Sequence, residues 1–191
     1  MTGIKDMGMK DDETVLLFLK FAIQCSSSPL NRTLIPPEDE ARARELVSKG
    51  KLPDKGFERR YRAAYGGCSV LALEMGKKEI DKEVVEEYFL YRHNPNLDAD
   101  LAMGRTYRDD IDCKTYPGTI EKIEDKESAT VKTPAGEMRC SRVFAGELGV
   151  GSLVAVHRNV IAIQISDEMA TKMERLLNSN HSNSKRLRSV G

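Results

Sequence analysis

No stretch of this sequence reaches the roughly 20 consecutive apolar residues that a membrane-spanning helix needs. The longest apolar run, around Val15–Ile23, is short and interrupted by Lys20. The opening residues, Met1–Asp12, lack the basic-then-apolar pattern of a secretory signal. The expected compartment is therefore the cytoplasm, with no membrane partner. An excess of one charge is also missing: 30 Lys and Arg balance 30 Asp and Glu. Phosphate binding draws on a local positive excess, so nucleic acid is not expected as the main partner. The one basic cluster, Lys185, Arg186 and Arg188, sits in a Ser- and Asn-rich tail that reads as disordered and solvated. The four cysteines, Cys25, Cys68, Cys113 and Cys140, show no CxxC spacing, which argues against a zinc knuckle or a thioredoxin-like pair. Disulfides are not the default in a cytosolic chain. There is no phosphate-binding glycine loop, no HExxH and no nucleophile elbow, and the chain is not expected to be an enzyme.

What is present is an ordinary globular composition, with 40% hydrophobic and 31% charged residues over 191 positions. That length suits one or two domains with a real core. The pattern changes near residue 110. Before it, the apolar residues recur at helical spacing. Val15, Leu16, Leu19, Ala22 and Ile23 predict a helix over 13–25, with Asp11 or Asp12 as its N-cap. Pro37 followed by three acidic residues reads as a helix start, and Gly50 as its stop. Residues 57–65 read as helical, Gly66-Gly67 as a break or kink, and 68–75 as an apolar helix closed by Gly76. Residues 80–92 are amphipathic. Tyr61, Tyr65, Tyr88 and Tyr91 fit packing in the core or at its rim better than an aromatic site. His93 reads as a cap in a last turn rather than a ligand, and Asn94-Pro95-Asn96 as the point where that helix ends.

Beyond residue 112 the period becomes that of short strands, over 119–124, 129–132, 137–143, 153–157 and 160–165, with Pro- and Gly-containing turns between them. Five short strands in about 50 residues predict a small barrel rather than an open sheet. Ser166, Asp167 and Glu168 then open a helix with Met169, Met173, Leu176 and Leu177 on one face. The expected fold class is α+β. An N-terminal α-helical bundle (residues 1–93) and a linker (94–112) precede a small five-stranded OB-like β-barrel with a C-terminal helix (113–178). A disordered tail (179–191) follows.

The barrel opens with Cys113-Lys114-Thr115-Tyr116-Pro117-Gly118, a cysteine followed three residues later by Pro-Gly and an alternating strand. At its far end, Gly151-Ser152-Leu153-Val154-Ala155-Val156-His157 is followed by a second apolar strand and an acidic helix start. In order and spacing this segment resembles the HypC/HupF hydrogenase-maturation chaperones. The resemblance covers about a third of the chain, and the helical residues before it have no counterpart in that family. It implies an accessory protein in the assembly of the Fe-cyanide/carbonyl centre of hydrogenase. Cys113 and His157 would handle iron or a partner thiol, and Pro117 and Gly118 would shape the turn that presents the thiol. The implied partners are a HypD-like scaffold or a hydrogenase large-subunit precursor. A thiolate is the soft ligand such an iron fragment prefers. Two departures stand beside the likeness. Cys113 is internal, where the family's cysteine becomes the N-terminal residue, and Arg158-Asn159-Val160 replaces a smaller, glycine-containing stretch. Two other readings follow from the barrel alone: a protein-binding module without metal transfer, and an OB-like nucleic-acid-binding protein. The second is weakened by a barrel whose only aromatics are Tyr116 and Phe144.

Overall fold

Asp11 starts the first helix, α1 (Asp12–Ala22). Its carboxylate accepts from the Thr14 N–H at 2.8 Å and from the Thr14 hydroxyl at 2.7 Å in the computed structural model, which describes residues 7–25, 34–103 and 113–188. A 3₁₀ turn, Ile23–Cys25, extends α1. Helix α2 (Pro37–Ser48) begins on its proline and stops at Gly50, which has φ +67°. After a 3₁₀ turn at Phe57–Arg60 come α3 (Arg62–Glu74) and α4 (Lys82–Glu86). A π-helical stretch, Glu87–Arg92, then leads into α5 (His93–Ala102).

The chain divides into two compact units, one of Met1–Phe89 with Tyr107–Cys113, the other of Leu90–Thr106 with Lys114–Gly191. The core of the first is aromatic. Phe18, Phe21, Tyr61 and Phe89 are fully buried, Phe21 stacks on Phe89 at 4.6 Å, and Phe18 meets Tyr61, Tyr65 and Phe89 edge-on. Burial of each such ring contributes about 1.5–3 kcal/mol. The tyrosines are packing residues: Tyr61, Tyr65 and Tyr88 are buried, and the Tyr65 hydroxyl donates to the Met7 carbonyl at 2.6 Å.

Two expected breaks are absent. Gly66 and Gly67 lie inside α3, because Gly67 is needed for close packing rather than for a kink: a Cβ there would strike the Tyr88 ring. Asn94, Pro95 and Asn96 lie inside α5 instead of ending a helix. Pro95 is the third residue of α5, and the wider π turn just before it accommodates the missing N–H and the bulk of the ring.

In the second unit, five strands form a mixed sheet that closes into a ring in the order β1-β2-β3-β5-β4: β1 (Thr115–Ile123), β2 (Ser128–Thr133), β3 (Gly136–Ser141), β4 (Leu153–His157) and β5 (Val160–Gln164). Ile120, Val131, Cys140, Val154, Val156 and Ile161 fill its interior. Cys140 is core, and burial pushes its thiol up to about 11. Helix α6 (Asp167–Arg188) packs on β1 and β4 with Ala170 and Met173 buried. It continues well past residue 179, where the tail was expected to lose order. Strands β4 and β5 join through a two-residue turn with φ +48° at Arg158 and +62° at Asn159, the positive pair that a tight antiparallel hairpin demands.

Pro117 and Gly118 do not form a turn. Both lie within β1, opposite Ala155 and Val154 of β4. Pairing of β1 with β2 begins only at Thr119, so Pro117 sits where β1 is paired on one side and no donor is needed on the other. Gly118 is required by close approach: a Cβ there would lie 2.6 Å from Val131 Cγ1 and 2.9 Å from the Lys132 carbonyl oxygen. Gly118→Ala is therefore expected to cost about 1–3 kcal/mol, read as a shift in the urea midpoint. A variant as stable as the wild type would mean that β1 and β2 are not this close.

Candidate metal centre

Each unit brings together one pair of metal-ligating side chains. In the first, Cys25 closes the 3₁₀ turn after α1, and Cys113 stands immediately before the second unit's chain resumes at Lys114. Their sulfurs are 3.0 Å apart across 88 positions of sequence, and both residues are buried. Neither thiol is in a disulfide. The separation is much longer than the roughly 2.05 Å of a disulfide. It is shorter than the spacing of about 3.8 Å between two sulfurs on one tetrahedral zinc with 2.3 Å bonds. A rearrangement of under about 1 Å therefore converts this pair into a bidentate thiolate site.

In the second unit, His93 opens α5 and His157 ends β4. Their rings meet edge-to-face with centroids 5.1 Å apart. Both are buried, His157 completely. His157 lies opposite Thr115, the first residue of β1. Asn94 grips that same residue: its Oδ1 accepts from the Thr115 N–H at 2.8 Å and its Nδ2 donates to the Thr115 carbonyl at 2.7 Å. Because Thr115 spends both backbone groups on Asn94, Thr115 and His157 form a non-hydrogen-bonded pair, the type in which facing side chains come closest. The Thr115 hydroxyl is buried without a hydrogen-bond partner.

Of the residues singled out from sequence, Cys113 and His157 are thus each buried beside a second potential ligand, and Pro117 and Gly118 are strand residues. The second ligands, Cys25 and His93, were not foreseen. Cys25 carries no local motif, and His93 resembles a helix cap until its burial is known. All four side chains offer one ligating atom each, a sulfur or an imidazole nitrogen. No family model matches the chain, and neither a curated protein nor a solved structure does. Among the described residues, no helix is long and apolar enough to cross a membrane.

Proposed function

We propose that this chain is a metal-binding protein that takes zinc, with the thiol pair Cys25 and Cys113 as ligands in the first unit and the imidazole pair His93 and His157 as ligands in the second. The observation that carries the reading is the buried, uncrosslinked thiol pair at 3.0 Å. The imidazole pair supports it, because His93 and His157 are both buried with their rings only 5.1 Å apart, and neutral imidazole nitrogen is a common zinc ligand. Thiolate sulfur and imidazole nitrogen are both ligand types that zinc takes. Burial of the ligands in each unit favours a structural role over one that holds water for chemistry.

The test is metal content. Protein purified without added metal is expected to carry zinc, and Cys113→Ala and His157→Ala to carry less than the wild type. A metal-free wild type that also gives no tetrahedral cobalt(II) spectrum would sink the reading.

A second reading keeps the HypC-like role, with the closed ring of strands as an OB-like barrel and Cys113 and His157 handling an Fe-cyanide/carbonyl fragment for a HypD-like scaffold or a hydrogenase precursor. Its support is the placement of Thr115, two residues after Cys113, directly opposite His157. Infrared-active cyanide and carbonyl on the chain after co-expression with maturation partners would favour it over zinc.

A further inference from the structure

We infer that Asn94 is a positioning residue that holds His93 as its Nδ1–H tautomer and so assigns Nε2 as the nitrogen that binds metal. The ligand role of His93 rests on the zinc reading above. The tautomer assignment does not.

The argument starts from backbone polarity. An amide side chain can be turned by 180° with almost no change in shape, so its oxygen and nitrogen are assigned by their partners. Here the partners leave no choice. The Thr115 N–H can only donate and the Thr115 carbonyl can only accept, so the 2.8 Å contact belongs to Oδ1 and the 2.7 Å contact to Nδ2. Turning the amide would set donor against donor and acceptor against acceptor in a buried place, where each unsatisfied group costs most. Asn94 Oδ1 is therefore fixed as an oxygen. It also lies 3.5 Å from His93 Nδ1, at the outer edge of hydrogen-bonding distance. An amide oxygen has no proton to give, so a hydrogen bond here requires Nδ1 to carry one. In the neutral ring the lone pair is then on Nε2.

This is the arrangement that metal-bound histidines use: one ring nitrogen ligates while the other donates to a carbonyl or carboxylate oxygen, which fixes ring orientation and basicity. The same Asn94 oxygen serves Thr115 and His93. One amide therefore registers the helix that carries one imidazole against the strand that faces the other.

The test uses the full chain and two variants. Asn94→Ala removes every contact. Asn94→Asp keeps an acceptor for the Thr115 N–H and for His93 Nδ1–H, and loses only the donor to the Thr115 carbonyl. Long-range nitrogen-proton NMR of the metal-free wild type is expected to show His93 with its proton on Nδ1, and the Asn94→Ala variant a mixture of tautomers. Zinc affinity, measured by competition with a chromophoric chelator, is expected to fall about 10–100-fold in Asn94→Ala and to stay within about threefold of wild type, or tighten, in Asn94→Asp. A wild-type His93 protonated on Nε2 would overturn the inference, as would equal losses of affinity in both variants, which mark Asn94 as a clamp on Thr115 alone. If the wild type binds no zinc and its His93 still carries the Nδ1 proton, the zinc reading fails and the tautomer assignment stands.

Discussion

Stripping metal from the purified chain with a strong chelator is expected to lower its unfolding midpoint by roughly 10 °C. A ligand that binds only the folded state stabilises it by about 4 kcal/mol when its free concentration is a thousand times its dissociation constant. In chains of 150–250 residues each kcal/mol moves the midpoint by about 2–4 °C. The ligands proposed here lie at positions 25 and 113 in one unit and 93 and 157 in the other, so an unfolded chain presents the members of each pair far apart and binds metal weakly. Most of the binding free energy is then folding free energy. Cys113→Ser is expected to melt at a reduced temperature with or without chelator, since a serine hydroxyl is a poor replacement for a thiolate. Equal midpoints for chelated and untreated wild-type samples, in protein shown to carry zinc, would remove the structural role.

The second large effect concerns the aromatic core of the first unit. Phe89 is fully buried, stacked on Phe21 at 4.6 Å and edge-on to Phe18 at 5.8 Å and to Tyr88 at 5.1 Å. Truncating a buried phenylalanine loses transfer free energy and leaves a cavity that rigid neighbours fill poorly. Phe89→Ala is expected to cost about 3–5 kcal/mol, measured by urea denaturation, and Phe89→Leu less than half as much. A loss below 1 kcal/mol in the alanine variant would mean that the rings around it repack freely.

The parts of this fold that could be read in advance are those set by local chemistry. Asp11 caps α1, Gly50 and Gly76 take positive φ at their helix ends, and the alternation of apolar residues marks five strands with Cys140 in the core. The misreadings share a different cause. Gly67 and Gly118 look like breaks, yet each is small because a distant segment presses on it, Tyr88 in one case and β2 in the other. Pro95 looks like a stop, and a π turn upstream lets the helix pass through it. The candidate site was half legible. Cys113 and His157 stood out through spacing that resembles a known family. Cys25 and His93 have no such frame, because their roles depend on partners 88 and 64 positions away. Nothing local distinguishes a buried ligand from a buried core cysteine or a capping histidine.

The ring of strands has one thin seam. Where the other strand pairs share four to six register positions, β3 and β5 share one, Ser141 opposite Val160, with the Ser141 N–H donating to the Asn159 carbonyl at 2.8 Å. A transient opening of the molecule has the least to break there. Opened at that seam, the ring becomes a flat run in the order β3-β2-β1-β4-β5, with β1 at its centre and β4 beside it. Thr115 and His157 would remain paired through such a breathing motion, and deuterium would reach the Ser141 amide long before it reached the β1 and β4 amides. His157 thus faces two ways: towards Thr115 on the strand that stays paired, and towards Val160, the residue at which the ring gives way first.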